Sequence, residues 1–113
     1  MSARNPLLEA PPYPVEHATK TLGANLRTAR LRRNLTIQDV ADKIGTGPRA
    51  VADAEKGKSS TGIVVYVALL WTYGLLSPFP ELAAPEHDDE GLALVRGGER
   101  ARAHRSGELD DDF

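Results

Sequence analysis

A chain of 113 residues with no cysteine and a formal net charge of −2 has room for one small domain with tails, which excludes a disulfide framework, a thiolate metal site and a second, enzyme-sized domain. The opening MSARNPLLEAPPYPVEH lacks the apolar centre of a signal peptide, and the longest apolar run, Ile63 to Trp71, is too short to span a bilayer. The expectation is a soluble cytoplasmic protein. The average charge hides a division: residues 22–58 carry eight basic side chains against four acidic ones, residues 59–113 four against ten. That asymmetry fits a module that meets phosphate with one part and something else with the other, or simply two solvated faces.

Residues 1–20 place Pro6, Pro11, Pro12 and Pro14 around Tyr13, the composition of an extended, flexible arm rather than a packed element. Helical patterning begins at Leu22, where Leu22, Leu26 and Ala29 recur at spacings of four and three with arginines on the other face. Asn34-Leu35-Thr36 then breaks the pattern, and Thr36 followed by Asp39 resembles a capping box that opens a second helix. Ile37, Val40, Ala41 and Ile44 share one face of it, and Gly45 ends it as a C-cap residue does.

A third helix starts between Thr46 and Pro48, since proline is tolerated in the first turn, and runs through Val51 and Ala54 to Gly57. Ser60 or Thr61 caps a fourth, TGIVVYVALLWTY, that closes at Gly74. Its β-branched run would also suit a buried strand, and length decides for the helix. A helix apolar nearly all round must be covered on most sides, by the core alone or by the core and a subunit interface, and core packing is the simpler account of Trp71. LLSPFPELAAP allows at most one short, proline-bounded helical turn, and Glu86 to Phe113 reads as a mobile tail. The sum is an all-α, five-helix domain over residues 21–85 between a flexible arm, 1–20, and a mobile acidic and basic tail, 86–113.

Two helices joined by a tight glycine turn form a plausible DNA-binding architecture on physical grounds. The stretch from Leu22 to Leu75 also resembles the XRE-type, phage-repressor-like helix-turn-helix domain. The resemblance rests on Arg30, Val40-Ala41, Gly45, Val51, Glu55-Lys56-Gly57 and Tyr73-Gly74-Leu75. It implies a dimeric, sequence-specific DNA-binding regulator in which Glu55, ending the third helix, pairs with Arg30 of the first as a structural ion pair. It further implies DNA contacts from Thr46, Gly47 and Arg49 at the start of the third helix, with Arg49 placed for a guanine or a phosphate. Lys56 and Lys58 would reach phosphates, and Gln38 falls one place beyond the family's usual glutamine. Asp53 sits where the family exposes a basic or polar side chain; it is either an acceptor for a cytosine amino group or a plain surface carboxylate. Pro48, Ala50 and Ala52 add little hydrogen-bonding capacity, so binding should need two half-sites about one helical turn apart.

The segment from Leu75 to Phe113 resembles, more narrowly, the C-terminal region of XRE-type antitoxins paired with HipA-like kinase toxins, through Asp88-x-x-Gly91, Arg100, Arg102 and the acidic end. What that implies is a kinase-toxin partner and autorepression. Physically, Leu109, Asp110, Asp111, Asp112 and Phe113 could fold onto a partner groove with a basic rim, or merely solubilise the chain. His87-Asp88-Asp89-Glu90 has no second ligand group placed by the sequence, so no metal or other cofactor is expected, and His17 and His104 fall in the expected tails. No Ser/His/Asp set or phosphate-binding glycine motif is placed, which argues against an enzyme. A stand-alone dimeric repressor, and an interaction module with weak DNA reading, remain open beside the antitoxin.

Overall fold

The computed structural model describes residues 5–111, with side chains as far as residue 105, so the tail set Leu109, Asp110, Asp111, Asp112 and Phe113 falls outside the described side chains. All regular structure among the described residues is helical: six α-helices and two 3₁₀ turns. The chain divides into two units, residues 1–77 and 78–113.

The first unit opens with two helices where the prolines led to an extended arm. The short α1 spans Pro6–Glu9 and α2 spans Tyr13–Arg32, nine residues ahead of the start that periodicity gave. The prolines do not oppose this, because they occupy helix starts, where a missing N–H has no intrahelical partner to lose. Asn5 accepts from the Leu7 N–H at 3.1 Å to cap α1. His17 accordingly lies on a helix, stacked on Tyr13 with ring centroids 5.7 Å apart.

What holds the early turns of α2 is a close backbone approach. A Cβ on Gly23 would stand 2.5 Å from the Ala54 carbonyl oxygen, and one on Gly57 would stand 2.5 Å from Lys20 Cα. Gly57 also has φ +64°, in the left-handed region that favours glycine. The Ser59 hydroxyl donates to the Leu8 carbonyl at 2.8 Å, tying α1 to the same segment.

After Asn34, at φ +54°, the second helix of the motif, α3 (Ile37–Ile44), starts with the reciprocal cap that the sequence announced. The Thr36 Oγ1 accepts from the Asp39 N–H at 3.0 Å, and the Asp39 carboxylate accepts from the Thr36 N–H at 2.9 Å. Gly45 closes α3 at φ +79°. Three residues later α4 (Pro48–Glu55) begins, with Gly47 as its N-cap.

α5 (Ile63–Thr72) is capped by Gly62, not by Ser60 or Thr61. α4 packs against α2, α3 and α5. The core is Leu26, Ala29, Val40, Ala41, Val51, Ala54, Tyr66, Leu69 and Tyr73. Arg33 binds the ends of α2 and α5 together: it donates to Ala29 O at 2.8 Å and Tyr73 O at 2.9 Å, with its guanidinium 5.4 Å from the Tyr73 ring centroid. Cations at helix C-termini satisfy carbonyls that have no intrahelical donor.

α5 departs from expectation on its outer side. Ile63, Val64 and Trp71 are exposed, Trp71 by 62%, so core packing does not account for the tryptophan.

In the second unit, 3₁₀ turns cover Phe79–Glu81 and Pro85–His87, one more than LLSPFPELAAP allowed for. They are followed by α6, Asp89–Asp111, over the segment expected to be a mobile tail. Local chemistry explains it. The Asp88 carboxylate accepts from the Gly91 N–H at 2.9 Å as an N-cap, and Ala, Arg, Leu and Glu, all good helix formers, dominate the helix beyond that cap. His104 lies on this helix.

Candidate nucleic-acid interface

The third helix of the helix-turn-helix pattern, α4, is built to present one face and bury the other. Val51, Ala54 and Glu55 are buried, while Arg49 and Lys56 are exposed and Ala52 and Asp53 half-buried. The outward residues 49, 52, 53 and 56 keep the i, i+3, i+4, i+7 spacing of a single helical face. No side chain caps its start. Gly47 is exposed there, and Thr46 is half-buried with its N–H donated to Ala41 O at 2.9 Å. The helix therefore begins at the surface, with the positive end of its dipole outward.

Arg30 and Glu55 meet beneath that face. Arg30 Nε lies 2.6 Å from Glu55 Oε2, and a second donor, Nη2, lies 3.0 Å from Oε1. The residues are 7% and 9% exposed. The third donor direction is met by Leu35 O at 2.8 Å from Nη1. The hydrogen bonds that Arg30 donates to the Glu55 carboxylate raise its pKa above the ordinary value, against the opposing effect of burial. This fork-to-fork pair ties the end of α4 to α2 and to the turn that leads into α3. Glu55 is thereby kept off the outward face, and its negative charge is no obstacle to an anionic ligand.

Arg49, Asp53, Lys56 and Lys58 come together with Ala52 around one shallow surface depression of about 500 Å³. Within it Asp53 Oδ2 stands 4.0 Å from Arg49 Nε and 3.9 Å from Lys58 Nζ. The Asp53 carbonyl accepts from the N–H groups of Lys56, at 3.2 Å, and Lys58, at 3.0 Å, which fixes the path of the segment after α4. Gln38 is not part of this grouping; it is exposed on α3 and donates to Asp42 at 2.8 Å.

Arg27, which the motif did not single out, is exposed on α2 and lines a neighbouring depression with Lys56 and Ala52. Its position three residues before Arg30, on the same side of the helix, was the available signal. Among the described residues, no three His, Cys, Asp or Glu side chains are grouped so as to hold a metal ion, and no helix is long and apolar enough to cross a membrane.

Comparison with known proteins agrees with this geometry. Residues 26–75, from the middle of α2 to just beyond α5, match the helix-turn-helix (HTH_3) family model, which supports an XRE-type helix-turn-helix domain over that segment. No curated protein and no solved structure matches the chain.

Proposed function

We propose that this protein is a sequence-specific transcriptional regulator that binds duplex DNA as a homodimer, inserting α4 into the major groove of each of two half-sites. The observation that carries the proposal is the outward face of α4: Arg49, Lys56 and Lys58 around one depression, with Arg27 beside it, on a helix locked from behind by Arg30 and Glu55. Arg49, 85% exposed at its side chain, supplies the base contact. Thr46 and Gly47 at the helix start, the lysines and Gln38 supply phosphate contacts that fix register without reading sequence. The uncovered apolar side of α5, with Ile63, Val64 and Trp71, supplies the surface between two copies.

The test is selection of duplexes by the full chain from a randomised pool, followed by binding measurements over a range of salt. A two-half-site sequence should be enriched, and log K should fall with log salt at roughly −0.9 per phosphate contact. Arg49→Ala should cost about 1–3 kcal/mol on the enriched duplex and leave the thermal midpoint unchanged. Enrichment of no sequence would leave an interaction module that has kept the fold and lost its reading surface.

A second reading adds a HipA-like kinase toxin as partner and makes the regulator an antitoxin. What favours it is α6, a 23-residue helix that carries Leu92, Leu94 and Val95 exposed. Asp88 and Gly91 carry little of that weight, because their spacing is already explained by the cap they form. Co-purification of such a kinase with the full chain, and its loss from a chain ended before Asp89, is the outcome this reading requires.

A further inference from the structure

Asp53 is the one carboxylate lining the cationic depression on α4, and its surroundings do not suit a base-reading acceptor. Its side chain is only 23% exposed, recessed between Arg49 and Lys58, with Oδ2 about equally far from Arg49 Nε and Lys58 Nζ, at 4.0 and 3.9 Å. Both separations are ion-pair distances too long for hydrogen bonds, so the carboxylate restrains the two cations without sequestering them. Arg49 lies one turn before Asp53 on the same helical face, the i, i+4 geometry in which a carboxylate steadies a guanidinium.

We propose that Asp53 is a specificity-determining residue that acts through Arg49 and Lys58: it steadies Arg49 for a base and penalises the use of either cation on the phosphate backbone. The inference rests on the reading that this face of α4 meets DNA. On a cognate duplex, Arg49 reaches the base edge while still beside Asp53, and the pair survives docking. On any other duplex the same cations must turn to phosphates, and Asp53 opposes this twice, by retaining them and by repelling the phosphate. A carboxylate some 4 Å from two largely solvated cations is worth roughly a five- to tenfold change in phosphate affinity. Selectivity is gained by subtracting non-specific affinity, which for a small cationic module would otherwise dominate.

The experiment compares the full chain with Asp53→Asn and Asp53→Ser on two probes, the duplex that the wild type enriches from a randomised pool and a scrambled duplex of the same length. Both substitutions keep the backbone carbonyl that holds Lys56 and Lys58, and agreement between them separates loss of charge from any effect of the new side chain. Each variant should bind the scrambled duplex about five- to tenfold more tightly, with a salt slope steeper by about one, while binding of the enriched duplex changes less than about threefold. The ratio between the two affinities therefore narrows.

Weaker binding of the enriched duplex with no change on the scrambled one would make Asp53 a base reader and overturn the proposal while leaving the DNA-binding reading intact. An unchanged ratio would overturn it as well, and leave a plain surface carboxylate. If the wild type enriches no duplex from the pool, the DNA-binding reading and this proposal fall together.

Discussion

Removing the Glu55 carboxylate should damage this fold more than any other single polar change, and the structure allows the size to be worked out. Glu55→Ala strips two short hydrogen bonds, 2.6 and 3.0 Å, from a guanidinium that is 7% exposed. Arg30 cannot escape by losing its proton, since arginine stays charged in proteins. It retains only the bond to Leu35 O. An uncompensated buried charge of this kind costs about 3–5 kcal/mol, against a total stability of about 5–15 kcal/mol for a small domain. Glu55→Gln preserves the volume and one acceptor and should cost less, about 2–3 kcal/mol. An apolar double replacement, Arg30→Met with Glu55→Leu, removes the desolvation penalty along with the attraction and should recover half or more of the loss. Equilibrium urea unfolding of the full chain, followed by helical circular dichroism, measures all three. With a slope near 1 kcal/mol per molar urea, Glu55→Ala should lower the midpoint by about 3 M or leave no folded baseline. A loss below about 1 kcal/mol, or a double variant no better than the single one, would refute the claim that this pair is buried and mutually dependent.

Gly23→Ala should destabilise the domain by about 1–3 kcal/mol in the same assay, because its Cβ would collide with backbone oxygens of α4 that have nowhere to move; a neutral result would mean that α2 and α4 do not approach as closely as described. The α3 cap gives a pH signature: the Thr36 N–H, and after it the Thr36 side chain, holds Asp39 below the usual carboxylate range. A carboxyl depressed in the folded state stabilises above its unfolded pKa near 4 and loses that contribution as pH falls through the folded value. The stability gap between wild type and Asp39→Asn should therefore be open at about pH 6 and close below about pH 4, as read from urea midpoints across that range.

The parts of this fold that are legible in the sequence are those where several local signals coincide. α3 has a capping box at one end, a left-handed glycine at the other and four apolar residues on one face between them. α4 is signalled by a proline that can occupy only a first turn, and its buried Glu55 is reached through a resemblance rather than through composition. The early half of α2 escapes such a reading because it carries no apolar stripe. Its partner is the backbone at the end of α4 and just beyond it, reached through Gly23 and Gly57, and an absent side chain leaves no periodicity to detect. α6 is hidden for a different reason. Its net composition resembles a disordered tail, and that charge balance masks the local propensities and the Asp88 cap that favour a helix.

The same distinction explains the candidate site and the outer side of α5. Sequence spacing locates Arg49, Lys56 and Lys58 because a motif fixes their positions, but that Asp53 stands between two of them depends on the return of the chain after Gly57, which no spacing rule supplies. For α5 the difficulty is that Ile63–Thr72 is apolar on every side, so its pattern cannot say which side is covered. Its packed neighbours within the first unit are α3 and α4, with Arg33 of α2 reaching its end, and they leave Ile63, Val64 and Trp71 outside. A tryptophan with no charged neighbour on its own helix is poorly matched to water. The homodimer proposed above would cover that side with a two-fold-related copy of α5, an isologous contact that needs nothing this chain does not already possess. In that proposal a second copy of α4 on the same duplex would compensate for a proposed reading face whose Ala52 and Pro48 offer few hydrogen-bonding groups.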